Sequence, residues 1–374
     1  MGQVSWDPLF DGYYGMQNTG DDIFCTIAAW GARRYWSARR IRFAASQLPV
    51  MPESVAPLIP QPIFRSKPLV RGYVYSMLVL IYRSVYLAKS SGIVYAGGST
   101  LLDIPRAKHA LRQVTRLLGK SLAGIGLSIG PFETERDRQG VTDFLQQFSF
   151  LTLRDRASCE LARSMSLPYT PVLAFDLAAL LPAVYGPLHW RGIGAERPTL
   201  GLGLGHNAAY DAVKEACIKE TLIRLAKRHA IQIRVCVFNG HALYGDLRLA
   251  QRMAEALRPF CPVEIIHYTN DPGQMWRRVA ECSAFLAERL HSAIFAYMAH
   301  VPFAVVEYRR KCADFANDIG LPEIYRFSNS GPDPDTAPEV LSSLLFAPSF
   351  AELSPQEAQA RAELSFVGAP WYGI

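Results

Sequence analysis

The chain has no pair of cysteines at Cys-x-x-Cys spacing, no set of histidines and cysteines at zinc-ligand spacing, and no internal repeat or low-complexity tract. A redox dithiol, a structural zinc site and a solenoid are therefore not expected. The seven cysteines (Cys25, Cys159, Cys217, Cys236, Cys261, Cys282, Cys312) are an odd, dispersed number, as reduced buried thiols in a cytoplasmic protein would be. Met1–Trp6 lacks the apolar core of a signal peptide, and Trp6 stands where a myristoylation pattern needs Ser or Thr. The longest apolar run, Tyr73–Ala88, is cut by Arg83 and is too short to span a bilayer, so it reads as a buried amphipathic helix. Charge of either sign is also modest. A net +6 and a pI near 8.9 suit anionic small substrates or an anionic membrane surface, without the basic, aromatic-interleaved stripe of a nucleic-acid binder.

What the 374 residues do contain is alternation. Strand-length apolar runs (Ile41–Ala45, Gly92–Ala96, Ala123–Ile129, Phe150–Leu153, Val172–Phe175) are separated by helical patterns. The same rhythm restarts at Leu200–Leu204 and continues through Ile231–Phe238, Val263–His267, Ala284–Ala287 and Phe303–Glu307. Such alternation predicts parallel sheets covered by helices. The intervening Pro182–Pro198 stretch is rich in Gly and Pro. The expected organisation is an N-terminal Rossmann-like domain over 1–182, a linker over 183–198, a C-terminal Rossmann-like domain over 199–350 and a helical tail over 351–374 that packs back on the first domain. The two domains would face a cleft. Pro8 removes a ladder donor and makes Ser5–Phe10 a poor strand. Pro49–Pro68, with its many prolines, reads as an extended surface segment.

The most informative segment is Ala287-Glu288-Arg289-Leu290-His291-Ser292. It ends an apolar strand and opens a helix, where free backbone N–H groups and partial positive charge await an anion and Arg289 adds a fork of donors. Lys311 follows the next strand, so cations gather at the carboxyl ends of neighbouring strands, where open α/β sheets hold ligands. An isolated helix-start Arg and a backbone-satisfied His are the plain alternative. Glu288, an acid beside Arg289, would compete with an anionic ligand. For His291, the helix N-terminus lowers the pKa and a bound phosphate dianion raises it, so an acid role and a phosphate-ligand role both stay open.

Other candidates divide in the same way. Arg154 and Asp155 follow a strand; they are either a second anion clamp with a carboxylate that holds an arginine or takes a sugar proton, or a helix cap with a solvated neighbour. Asn18, Asp21 and Asp22, with Gly20, open the first long helix, where the helix dipole alone favours acids; the glycine also admits close ligand approach. Gly97, Gly98 and Ser99 at another strand end could offer N–H groups and a hydroxyl to phosphate. Gly203-Leu204-Gly205-His206 mimics a dinucleotide turn, but the following strand ends without the acid that holds a ribose, which excludes a nicotinamide dehydrogenase; His206 would reach substrate instead. Asp333-Pro334-Asp335 has no strand before it, so a metal is not expected there. Arg33, Arg34, Arg39, Arg40 and Arg42 form a solvated face or a contact with acidic glycan or lipid headgroups.

Taken in order, Gly12-Tyr13-Tyr14-Gly15-Met16-Gln17-Asn18-Thr19-Gly20-Asp21-Asp22, Tyr95–Asp103, Gly130-Pro131-Phe132, Leu153–Ser158, Ala287–Ser292 and Lys311–Leu321 resemble the polysaccharide pyruvyl transferase family over most of the chain. The resemblance implies a two-lobed architecture like that of glycosyltransferase B. It implies transfer of the enolpyruvyl unit of phosphoenolpyruvate onto a saccharide, free or lipid-linked, as a ketal. It also implies His291, Arg289 and Asp155 as catalytic, with Arg154, Lys311, Asn18, Asp21, Asp22, Gly97, Gly98, Ser99 and His206 binding substrate. No cofactor, metal or nucleic acid is called for, and a peripheral contact at the inner face of the membrane stays open. The alternatives are a nucleotide-sugar-dependent glycosyltransferase of the two-lobed type and a non-catalytic glycan-binding protein.

Overall fold

The computed structural model describes residues 5–45, 47–53, 55–57, 72–101, 106–188, 190, 196–205 and 212–373. The chain divides into two compact units. The first takes in Met1–Met16, Asp21–Leu180 and Gln359–Ile374, the second Gln17–Gly20 and Leu181–Ala358.

In the first unit seven parallel strands, β1 (Pro8–Asp11), β2 (Arg42–Phe43), β3 (Ala56–Pro57), β4 (Gly92–Leu101), β5 (Ser121–Ile129), β6 (Phe148–Leu153) and β7 (Val172–Leu173), lie in the order β3-β2-β1-β4-β5-β6-β7. Helices α1 (Thr19–Trp36), α2 (Gly72–Ala88), α3 (Arg106–Leu117), α4 (Glu135–Leu145) and α5 (Arg156–Arg163) connect them. The order reverses between β1 and β4, as in a doubly wound sheet. The expectation for Ser5–Phe10 is corrected here. Residues 8–11 form β1, wholly buried and paired on both sides, with Leu9 opposite both Arg42 and Ile93. Pro8 is tolerated because it is the strand's first residue, where a missing N–H interrupts no ladder. β3 lies inside the proline-rich stretch that the sequence marks as surface chain.

One further expectation changes. Gly97 and Gly98 are not at a strand end but inside β4, at φ +71° and +80°, next to a register shift against β5. A Cβ on Gly97 would lie 2.4 Å from the ring of Phe24 in α1, so close helix–strand packing accounts for that glycine. Helix α2 is buried on one face only, with Leu87 in the core and Leu80 packed against it. Met77, Ile81 and Val85 stand 48, 49 and 46% exposed along one face. Few polar residues interrupt this helix, so its sequence carries no mark of which side meets water.

The tail of the chain completes the first unit. Phe366 fills the space left by Gly31 in α1, the Trp36 indole N–H donates to the Phe366 carbonyl at 3.0 Å, and the rings of Trp6 and Trp371 stack at 3.9 Å.

The second unit opens with α6 (Leu181–Tyr185) and holds β8 (Thr199–Gly203), β9 (Gln232–Cys236), β10 (Val263–Ile266), β11 (Ala284–Ala287), β12 (Phe303–Val306) and β13 (Arg326–Phe327). All are parallel, in the order β10-β9-β8-β11-β12-β13, which reverses between β8 and β11. Around them run α7 (Ala212–Arg228), α8 (Leu247–Leu257), α9 (Pro272–Ala280), α10 (Leu290–Met298), α11 (Arg310–Ile319) and α12 (Ala337–Phe346), followed by α13 (Pro355–Val367), which returns the chain to the first unit. Each unit is thus a Rossmann-like α/β layer, as the alternation predicts. Short, wholly buried β11 and β12 read as continuous apolar runs because helices cover both faces.

Candidate functional site

The strand order of the second unit reverses between β8 and β11, and the residues after those two strands are Leu204-Gly205 and Glu288-Arg289. Open α/β sheets hold ligands at such a reversal, outside the carboxyl ends of the strands. Both strand ends are shaped by small residues. A Cβ on Gly203 would lie 2.2 Å from the Ser292 hydroxyl, and one on Gly205 would lie 3.1 Å from the Arg289 side chain. The Gly-x-Gly spacing therefore seats Ser292 and Arg289 rather than a dinucleotide. His206 lies outside the described residues.

Glu288 does not face a ligand, contrary to expectation. It is fully buried, its carboxylate accepting from Lys214 Nζ of α7 at 2.6 Å and from the Gly205 backbone N–H at 2.9 Å. The acid is neutralised inside the unit and stiffens the turn after β8. Arg289 is held by Asp246, which takes Nε at 2.6 Å and also the Nη2 group. Asp246 precedes α8, is 2% exposed and accepts the Asn239 N–H at 3.0 Å, yet makes no side-chain cap to its own helix. Burial works against the charge on Arg289, but Asp246 more than offsets it and the guanidinium pKa is raised. Tyr308, after β12, joins the same cluster. Lys214 Nζ lies 5.8 Å and Arg309 Cζ 5.6 Å from its ring centre, and burial pushes its phenol up to about 12. Lys311 sits half-buried in the first turn of α11.

Arg289 is also the residue before α10 and offers that helix no side-chain cap. His291 lies in the first turn. Its imidazole meets a piece of chain from the far end of the sequence. A Cβ on Gly20 would fall 1.9 Å from His291 Nδ1, so only glycine fits there. Gly20 is held in place by backbone bonds of its neighbours. Thr19 donates to the Phe238 carbonyl at 2.9 Å, Gly240 donates to the Gln17 carbonyl at 2.8 Å, and Asn18 forms an antiparallel bridge with Asn239. The N-terminal glycine motif and the Arg-x-His motif thus meet at one place, although most of the chain separates them.

Arg154 and Asp155 sit in the first unit. Asp155 caps α5 through the Ser158 N–H at 2.7 Å and accepts the Ser128 hydroxyl at 2.6 Å. Arg154 donates to Ser128 at 2.6 Å and to Asp176 at 2.8 Å; all three of Arg154, Asp155 and Asp176 are buried. Asp155 is a helix cap, as the plain alternative has it, but Arg154 is buried and paired with Asp176 rather than solvated. Asp22 is buried and Asp21 half-buried in the first turn of α1. The Asp333 carboxylate closes its own turn, and Asp335 pairs with Arg224 at 2.5 Å. Among the described residues no three His, Cys, Asp or Glu side chains gather as a metal site.

Sequence reasoning missed Lys214, Asp246 and Tyr308. A lysine inside a helix, an acid before one and a tyrosine after a strand look ordinary until the sheet brings them together.

Comparison with known proteins agrees with this reading of the fold. The family model "Polysaccharide pyruvyl transferase" matches residues 32–310. The amylovoran biosynthesis protein AmsJ of Erwinia amylovora is 20% identical over 255 residues, 64% of this chain and 61% of AmsJ; the chain thus spans less than two thirds of that relative. Among solved structures, UDP-GlcNAc 2-epimerase from Methanocaldococcus jannaschii is 11% identical with a TM-score of 0.62, covering 96% of this chain and 98% of its own. Anabaena HepE, solved with UDP and glucose, is 10% identical with a TM-score of 0.56 over 96% and 95%. At these identities the structural likeness bears on the fold alone.

Proposed function

The chain belongs to the polysaccharide pyruvyl transferase family, and on that premise we propose that it moves the enolpyruvyl group of phosphoenolpyruvate onto a saccharide of a surface or exported glycan as a cyclic ketal. The observation that carries the reading is the meeting of Gly20, His291 and the Asp246-held Arg289 at the strand reversal of the second unit. Arg289 binds the donor's phosphate or carboxylate, its guanidinium oriented in advance by Asp246 and assisted by the uncapped start of α10. Lys311, in the first turn of α11, is assigned a further positive contact with the donor.

His291 gives a proton to the methylene carbon of the donor. The neighbouring carbon becomes cationic, a sugar hydroxyl bonds to it and releases its proton, the C–O bond to phosphate breaks, and a second hydroxyl closes the ketal. Arg154 is proposed as a second anion contact, with Asp155 positioning it through Ser128. Asn18, Asp21 and Asp22 are assigned to acceptor hydroxyls, Gly98 and Ser99 to backbone and hydroxyl contacts with the donor, and His206 to the substrate. The AmsJ relative is named for amylovoran biosynthesis, which supports a polysaccharide as the acceptor class.

The test is phosphate release from phosphoenolpyruvate in the presence of candidate saccharides. Arg289→Ala and His291→Ala should each lower turnover by about 10²–10³-fold with the fold intact. Near-normal turnover in both refutes the site. Turnover of a nucleotide sugar instead refutes the donor, and tight saccharide binding without turnover of any donor points to a binding protein.

A further inference from the structure

We propose that the first unit lies against an anionic bilayer through the outward face of α2 and the amino edge of its sheet. The apolar part is a stripe at helical spacing. Met77, Ile81 and Val85 are each nearly half exposed, and Ala88 continues the line. A surface helix normally turns charge to water on that side; here it turns an unbroken apolar row. Leu117 and Leu118, 85 and 41% exposed, extend the apolar area from the end of α3, which packs on α2.

The second observation is charge. Between Glu53 and Glu133 one acid, Asp103, stands against ten lysines and arginines. The topology collects described members of that set, with others, at one end. Lys89 follows α2 just before β4, Arg116 lies in the last turn of α3 and Lys120 just before β5, and Arg42 begins β2. Arg42 donates to the Lys89 carbonyl at 3.2 Å, which ties two of these positions together, and Arg39 and Arg40 are exposed beside them. Two acids at this edge are already engaged: Asp7 accepts the backbone N–H groups of Arg39 and Arg40, and Glu53 pairs with Arg33, which donates to the Arg39 carbonyl. An apolar row bordered by exposed cations is complementary to acyl chains under anionic headgroups. α2 itself has 17 residues, with Arg83 in its middle paired to Asp11 at 3.1 Å, so it would lie in the interface rather than cross it.

None of the residues of this surface is assigned to the donor, and its test does not depend on turnover. The full chain is sedimented with vesicles of phosphatidylcholine alone and with an equal part of phosphatidylglycerol. Expected are binding only to the anionic vesicles, steep loss with added salt, and a loss of more than about tenfold in Ile81→Glu. Lys120→Gln and Arg116→Gln should each lower partitioning by about fivefold. Ile81 and Arg116 are exposed and Lys120 is half-buried, and circular dichroism of each variant checks that the fold is kept. Equal binding to neutral vesicles, or unchanged binding in Ile81→Glu, overturns the proposal. So does absence of vesicle binding together with a concentration-dependent dimer that Ile81→Glu dissolves, which assigns the face to a second copy of the chain.

Discussion

The Lys214→Met variant isolates the inward turn of Glu288. Lys214 and Glu288 are 2% and 0% exposed, their charged atoms are 2.6 Å apart, and the carboxylate also accepts the Gly205 N–H. Removing the ammonium leaves a buried carboxylate with a single neutral donor. Breaking such a pair on one side costs about 3–5 kcal/mol, whereas replacing both charges is close to neutral. The single variant should therefore melt on the order of 10 °C lower, at a few degrees per kcal/mol for a unit of this size. Lys214→Met combined with Glu288→Gln should return to within about 2 kcal/mol of the parent. Calorimetry on the three proteins measures both. Phosphoenolpyruvate affinity, measured in parallel, should not rise in Glu288→Gln, because the acid is already neutralised and turned away from the anion. A Lys214→Met protein as stable as the parent, together with tighter donor binding in Glu288→Gln, would show that the carboxylate faces the ligand and refute the reasoning.

Gly20→Ala places a methyl where the His291 imidazole sits; a displacement of about 1 Å at a reacting group can cost on the order of 10² in rate, so kcat/KM should fall by about that factor while melting changes little. Asp246→Asn removes the charge that orients Arg289, and donor KM should rise with a smaller change in kcat. Alkaline stability follows from burial, which pushes the thiols of Cys282 and Cys312 and the phenol of Tyr308 up to about 12. Their unfolded values are lower, near 8.5 for cysteine and 10 for tyrosine, so unfolding releases their protons first. Stability is thus full below about pH 8.5 and declines from there through about pH 12. Denaturant midpoints across that range should flatten in Cys282→Ala, and a midpoint independent of pH up to 12 contradicts the assignment.

Much of the fold was legible because period and length carry it. Apolar runs at Ala123–Ile129 and Ala284–Ala287 could only be covered strands, and they are. One element was misread for a definite reason. Pro8 weakens a strand everywhere except at its first residue, and nothing local reveals that β1 begins there. α2 is the expected helix with one buried face, but its sequence has too few polar residues to reveal that Met77, Ile81 and Val85 face outward. At the candidate site, Arg289 and His291 could be picked out because a strand end and a helix start adjoin in sequence. Glu288 was assigned the wrong partner because Lys214 lies 74 positions away. Asp246 was missed because it stands at an ordinary cap position before α8, and only the fold shows its carboxylate spent on Arg289. Gly20 was noted for its freedom to approach a ligand, while its contact with His291 depends on the docking of Gln17–Gly20 beside the end of β9.

The central claim is that the Arg289–His291 corner receives a small phosphorylated acid. Titration calorimetry with phosphoenolpyruvate and, separately, with a uridine diphosphate sugar, on the parent and on Arg289→Ala, tests it most directly. The account predicts binding of phosphoenolpyruvate that is lost in Arg289→Ala and little heat from the nucleotide sugar. Equal phosphoenolpyruvate binding by both proteins, or binding of the nucleotide sugar alone, contradicts it.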